Sequence, residues 1–394
     1  MILTGGRDGT IRLWTFLARK FIGHSDAISH VAFSPDEKYI LSGGLDRTVR
    51  LWDVLSGSEV RQFAGSIFDI YHVAFAPDGK YVAAGGKDGA TRIWETSTGS
   101  LLRQVPPPET WDSATSSTIW SIAFAPDGKT LLTADEEGNI IAWDVLSGAR
   151  NLLYTPLDSQ ANLSGGSRYW NNTQIFDLNF SPNGGYVLSA ANDTTARLWL
   201  PEQGKDIRWF VGETLAGVYS AAMTADHRYV ATGGVDRVAR LFEVGRSKMI
   251  REFRGHTDSI LKVAFSPDDR FLLTTSKDGT ARLWNVETGE EIRRMVGHTG
   301  AVLSAAFSPD GAYIVTAGAD GLLRLWDTDY LNFVRFACRQ LARDFTEGER
   351  TAYAITDSAA TCPTESTPAG LPPAWTPVPT RSAPPSVPLG TPCP

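Results

Sequence analysis

One spacing recurs through most of this chain and constrains its fold more than any other feature. In TTSKDGTARLWNV (274–286) an acidic residue, Asp278, stands six positions before an aromatic one, Trp284. The same interval joins Asp8 to Trp14, Asp46 to Trp52, Asp88 to Trp94, Glu137 to Trp143, Asp193 to Trp199, Asp236 to Phe242 and Asp320 to Trp326, giving eight copies in all. Successive aromatics lie 38, 42, 49, 56, 43, 42 and 42 residues apart. Self-similarity at such a period marks units that cannot bury their apolar faces alone and must stack on their neighbours.

Each unit reads as four short strands. An apolar-alternating run such as ILKVAF (260–265) leads into a turn, seen as Ser34-Pro35-Asp36, Ala76-Pro77-Asp78-Gly79, Ser181-Pro182-Asn183-Gly184 and Ser308-Pro309-Asp310-Gly311. Pro presets φ at the second turn position, and Asp or Asn with Gly completes the reversal. A second strand follows, then an Asp-Gly hairpin signal, a third strand ending in the aromatic, and a fourth such as EIRRMV. No segment before Leu331 keeps helical periodicity long enough to compete.

Eight in-register copies over roughly residues 2–328 resemble the WD-repeat (WD40) β-propeller family. The resemblance implies an all-β ring of four-stranded blades. Three copies add a Gly-His 22 residues before the acid, giving His24/Ser42/Asp46/Trp52, His256/Thr274/Asp278/Trp284 and His298/Thr316/Asp320/Trp326. A hydroxyl, an imidazole and a carboxylate at fixed spacing imitate a nucleophile–base–orienter array. Catalysis needs one such set and the chain has three. In the family the same residues form a structural relay: Asp holds His, His meets the hydroxyl, and the hydroxyl takes the indole N–H. The other copies carry Ser66, Thr115, Asn171 and Thr214 where His would stand, so packing is expected to hold blades two to five more than the relay does.

Composition removes several function classes. A net charge of −7 argues against nucleic-acid binding through a basic face. Three Cys without a CxxC pair make neither a disulfide framework nor a zinc site. No Walker loop, HExxH or EF-hand spacing is present, so no cofactor and no metal are expected. No apolar run reaches the ~18 residues of a membrane span, and MILTGGRDGT lacks a secretory core, so the expectation is a cytoplasmic protein that does not engage a membrane.

Partner-binding candidates come from counting 17 residues back from each acid, to a position on the first strand that in the family faces the channel rim on the top surface. Here it reads Ser29, Tyr71, Trp120, Phe176, Tyr219, Leu261 and Leu303. Four consecutive blades thus present Tyr71, Trp120, Phe176 and Tyr219, either as an exposed anchor for a protein or peptide or as packing that compensates for the missing His. Two insertions, 105–118 and 155–173, fall beside them and carry Trp111, Tyr169 and Trp170, either as further contacts or as drifted loops. The residue before each acid (Arg7, Leu45, Lys87, Glu136, Asn192, Val235, Lys277, Ala319) is expected on the same rim, and its mixed charge suits a protein partner or plain solvation.

The chain begins inside a repeat, since residues 2–15 supply a second and third strand and Arg19–Ile22 a fourth. Either eight blades close the ring, or residues 19–22 complete the blade of Trp326 in a ring of seven. Seven is preferred because a propeller needs a protected edge, and the sequence then reads as the C-terminal part of a longer chain. The expected organisation is a partial repeat and closing strand (1–23), a propeller (24–330), a helical extension (331–362) with a capping box at Thr346 and Glu349, and a disordered tail (363–394) with 11 Pro. Cys338 and Cys362 either pair or stay reduced. Residues 337–363 resemble the tail that follows propellers in large bacterial signalling proteins. The expected function is therefore a non-enzymatic interaction or sensor module within such a polypeptide. The alternatives are a structural or autoinhibitory domain of an upstream ATPase, kinase or cyclase, and an enzyme using the funnel, which the carboxylate-free ring positions disfavour.

Overall fold

The computed structural model describes residues 2–5, 11–14, 19–66, 68–106, 117–154, 174–212 and 217–328. Seven four-stranded antiparallel sheets form seven blades. Blades 1 to 6 are residues 28–63, 70–105, 119–154, 175–211, 218–254 and 260–296, each running from an inner strand outward in chain order. Blade 7 (302–327) has only three strands of its own and takes its outer strand from Arg19–Ile22, in the register Arg19↔Leu325 to Ile22↔Leu322. Eight sequence copies therefore give seven blades, closed by strand exchange, and the eight-bladed alternative falls. Ile2–Gly5 and Ile11–Trp14 form a separate two-stranded sheet.

The closing strand is fixed by burial as well as by pairing. Phe21 is 1% exposed and packs with Ile28, Trp52, Leu323 and Leu325 between blades 7 and 1. Six further apolar clusters fill the other blade boundaries in the same way. Second strands are buried along almost their whole length, as in Tyr39–Gly44 and Val187–Ala191, because neighbouring blades cover both of their faces. The first turn of five blades is locked by a hydroxyl, as where Ser34 Oγ donates to Asp36 at 2.7 Å and accepts from the Tyr39 amide at 2.9 Å.

Among the described residues there is no helix, and none long and apolar enough to cross a membrane. The expected helical extension, the Pro-rich tail, and Cys338 and Cys362 lie outside the described residues, as do Trp111, Tyr169 and Trp170.

Candidate functional site

A backbone hydrogen bond repeated in all seven blades defines one face of the ring. The amide of the residue before each acid donates to the carbonyl two residues before the ring position: Leu45 to Ala27, Lys87 to Asp69, Glu136 to Thr118, Asn192 to Gln174, Val235 to Gly217, Lys277 to Ser259 and Ala319 to Ala301, all at 2.8–3.0 Å. The hairpin turns and the inner-strand entries therefore share this face, here called the top. Each inner strand then has a β-bulge that leaves the ring position without a partner in the ladder, as between Ile70 and His72 or Ile119 and Ser121. The bulge recurs in every blade. Bulges re-aim side chains, and this one frees the seven ring residues from the inter-blade core.

Blades 1, 6 and 7 contain the His sets. His24 Nδ1 lies 2.9 Å from Asp46, its Nε2 lies 2.7 Å from Ser42 Oγ, and Trp52 Nε1 donates to the same oxygen at 2.8 Å. His256 and Thr274 repeat the pattern with Asp278 and Trp284 at 2.8, 2.8 and 2.9 Å. His298, Thr316, Asp320 and Trp326 do so at 2.8, 2.8 and 2.9 Å. The indole N–H occupies a lone pair that a nucleophilic hydroxyl would need free, and each hydroxyl is buried. Burial alone would raise the Asp46 and Asp278 carboxyls, but hydrogen bonds from His and from Thr48 or Thr280 hold both well below the usual carboxylate range. Asp320 is lowered likewise, and burial lowers His256 and His298 despite their carboxylate partners.

Blades without His use a different pair. An Arg follows the acid by four residues in six blades. In blades 2 and 5 its guanidinium takes the carboxylate directly, Arg92 to Asp88 at 2.7 Å and Arg240 to Asp236 at 2.5 Å, and Arg197 does the same to Asp193 in blade 4. In blades 1 and 6 the Arg stands off from the acid, at 3.8 Å for Arg50 and 3.9 Å for Arg282, while Arg324 of blade 7 keeps a long hydrogen bond to Asp320 at 3.3 Å. Arg50 and Arg282 turn instead to Glu59 and Glu291 on the outer strands, at 2.6 and 2.7 Å. The expectation that packing replaces the relay in blades two to five is thus amended for blades 2, 4 and 5, where a buried ion pair also stands.

Blade 3 departs further. Spacing assigns its acid to Glu137, which is exposed. The turn is held by Asp135, whose Oδ1 accepts from the Glu137 and Asn139 amides at 3.0 and 2.8 Å and whose Oδ2 accepts from Asn139 Nδ2 at 2.8 Å. Blades 1, 2, 5 and 7 place Gly there, while blade 4 has Ala191 and blade 6 has Ser276, and a Cβ on Gly318 would come within 2.2 Å of His298 Nδ1.

The Trp N–H bond to a hydroxyl survives the loss of His in blades 3 and 4. Trp143 and Trp199 donate to Thr133 and Ser189 hydroxyls at 3.0 and 2.8 Å, while Trp94 donates to the Ala64 carbonyl at 2.9 Å.

The four ring aromatics meet side by side across three blade boundaries. Tyr71 and Trp120 stack at 4.6 Å with an interplanar angle of 8°. Trp120 and Phe176 meet edge to face at 6.0 Å, and Phe176 and Tyr219 at 5.0 Å. All four remain partly exposed, and Trp120 Nε1 has no hydrogen-bond partner among the described residues. Lys277 Nζ lies 5.8 Å from the Tyr219 ring centre. Ser29, by contrast, is tied to the Gly43 and Ile70 carbonyls at 2.8 and 2.6 Å.

One residue further along each inner strand lies a polar belt that the repeat counting passed over: His30, His72, Ser121, Asp177, Ser220, Lys262 and Ser304. Lys262 Nζ reaches Asp177 two blades away at 3.0 and 3.1 Å, and Ser220 Oγ donates to the same carboxylate at 2.5 Å. His30 and His72 stack at 3.6 Å. The Val73 carbonyl accepts from His30 Nδ1 at 3.1 Å, so the neutral ring turns a bare acceptor, Nε2, inward. That atom, both nitrogens of His72 and Ser304 Oγ have no partner among the described residues. Burial, then the neighbouring His72 and Lys262 charges, hold His30 well below its ordinary pKa, and burial and Lys262 do the same to His72.

Seven blades of one repeated unit, closed by an exchanged strand and braced by His–hydroxyl–Trp relays, define a repeat propeller of the WD type. A family profile described as WD domain, G-beta repeat matches residues 1–15, 16–53, 57–95, 107–144, 166–199, 204–243, 247–285 and 289–327. The chain belongs to the WD40 repeat family. Its members generally mediate protein–protein interaction and are typically non-catalytic scaffolds. The matched segment 16–53 spans the closing strand and the first three strands of blade 1, so the sequence unit straddles two blades.

Proposed function

We propose that this propeller is the non-catalytic binding or sensor module of a bacterial signalling protein, working in the cytoplasm and capturing a protein segment on its top face. The observation that carries the reading is the continuous arc of Tyr71, Trp120, Phe176 and Tyr219. Its rings touch one another yet stay partly exposed. Aromatic side chains clustered at one place supply anchoring area at low entropic cost. The bulged backbone beneath them is a rigid support. Trp111, Tyr169 and Trp170 are assigned to the same partner from their place in the sequence alone.

Binding titration of a captured partner against wild type and the Trp120→Ala/Tyr219→Ala double variant tests this. Loss of an anchor typically costs about 2 kcal/mol or more, so the double variant should weaken binding at least tenfold. Undiminished binding by a folded double variant would overturn the top-face reading.

A further inference from the structure

Charge on the rim is ordered along the aromatic arc. The rim residue of each blade stands beside the ring residue of the blade before it. Lys277 of blade 6 lies over Tyr219 of blade 5, and the Glu136 charge of blade 3, with that of Asp69, acts on the Tyr71 hydroxyl of blade 2. The same offset puts Asn192 beside Trp120 and Val235 beside Phe176. From blade 3 to blade 6 the rim thus runs carboxylate, amide, apolar, ammonium. Glu136 and Lys277 are both exposed, and neither has an ion-pair partner among the described residues. Asp69 is different, with Arg47 and Lys87 at 3.9 and 3.8 Å, so Glu136 is the uncompensated charge at that end.

We infer that the arc takes an extended peptide segment of fixed polarity. Apolar or aromatic side chains lie across Trp120 and Phe176, a Lys or Arg sits at the Tyr71/Glu136 end, and an Asp or Glu sits at the Tyr219/Lys277 end. The inference rests on the top-face reading above. Ring spacings of 4.6, 6.0 and 5.0 Å place the two charged ends under roughly five residues of extended chain at about 3.3 Å each. A cation at the first end gains twice, from Glu136 and from the stacked faces of Tyr71 and Trp120. Exposed pairs contribute little to affinity but set register and exclude reversed partners. The polarity therefore governs which sequences bind and in which direction, while the aromatics govern how tightly.

A random peptide display library panned against the whole chain tests the inference, with the Glu136→Lys/Lys277→Glu variant panned in parallel. Both proteins are first shown to melt alike. Wild type should enrich peptides with a basic residue on one side of an apolar pair and an acidic residue on the other, in one chain order. The variant should enrich the opposite order, and peptides selected on wild type should bind it about fivefold more weakly. Apolar enrichment without charge order, or an order that charge reversal leaves unchanged, would overturn the polarity and leave the arc standing. If nothing is enriched, or if Trp120→Ala/Tyr219→Ala leaves the enrichment intact, the top-face reading falls with it.

Discussion

Blades 1, 6 and 7 form one side of the ring and blades 2 to 5 the other, and the two sides differ at three levels. The first side holds its hairpin acids with imidazole, and its ring positions are Ser29, Leu261 and Leu303. The second holds them with guanidinium or, in blade 3, with Asn139, and its ring positions are the four aromatics. The cause is whether a His arrives from the preceding loop. Where it does, the Asp is taken, and in blades 1 and 6 the Arg swings outward to Glu. Where it does not, the Arg closes on the Asp. A repeat can therefore drop a relay residue without leaving a buried carboxylate stranded, because its replacement is already written four residues downstream. The side released from the relay is the side that carries the proposed binding arc.

The largest test of this contrast is to remove the acid on each side. Asp88→Ala takes one partner from a pair whose side chains are 5% and 2% exposed. Breaking a buried pair from one end costs about 3–5 kcal/mol. Asp46→Ala removes the carboxylate partner of His24 while Arg50 keeps Glu59, and should cost about 1–3 kcal/mol. Denaturant melts of the two variants check the order, and a larger loss from Asp46→Ala would reverse the account of which pair matters more.

A finer version uses one substitution in two settings. Ser42→Ala strands both His24 Nε2 and Trp52 Nε1, whereas Ser189→Ala removes the acceptor of Trp199 alone. The first should cost about 2 kcal/mol and the second about 1 kcal/mol. Equal losses would show that the His bond adds nothing.

Much of this was legible before the structure, and the illegible part has a common reason. The repeat and the residues of the three relays follow from spacing, because each is set within one unit, and the preference for seven blades over eight comes from the need to protect an edge. The Arg four residues after the acid was printed in almost every copy, yet nothing local says whether it faces Asp or Glu. That depends on a His from the loop before. Glu137 held the right spacing, but Asp135 two residues earlier took the role through Asn139, a pairing inside the turn that the six-residue interval does not mark. The channel belt was missed because its contacts run between blades. Asp177 and Lys262 are 85 residues apart and meet only because the ring brings them together. The bulge that aims the aromatics leaves no residue signature in the inner strands.

Acid should strike the belt where the two sides meet. His30 and His72 have folded pKa values held well below the ordinary 6.5, so the unfolded chain binds protons first as pH falls. Stability is therefore level above about 6.5 and declines below it. The relay carboxylates add a second loss nearer pH 4, since Asp46, Asp278 and Asp320 are all lowered and give up their contribution on protonation. His72→Phe keeps a ring against His30 and removes one titrating group. Its melting temperature should fall less than that of wild type between pH 7 and pH 5, and parallel curves would exclude the pair as the source.

The smallest effect is expected at the other junction between the sides, on the face opposite the arc, where Asp269 of blade 6 caps blade 5. Both carboxylate oxygens lie 3.0 Å from the Ala225 amide. All six other blades place Pro where Ala225 stands, and Pro has no such donor. Asp269 has φ of 60° where Gly79, Gly128, Gly184 and Gly311 stand elsewhere. Burial pushes its carboxyl up to about 6, with Asp226 and Asp268 adding to the shift against the Ala225 bond. A raised carboxyl favours the protonated folded state, so the ionised form costs stability as pH rises through 4 to 6, and the cost persists above. Asp269→Asn keeps an acceptor for Ala225 and tolerates the left-handed backbone. It should gain about 1 kcal/mol at pH 8, after allowance for solvent screening, and nothing at pH 4. A gain that is the same at both pH values would trace it to the backbone and not to the charge.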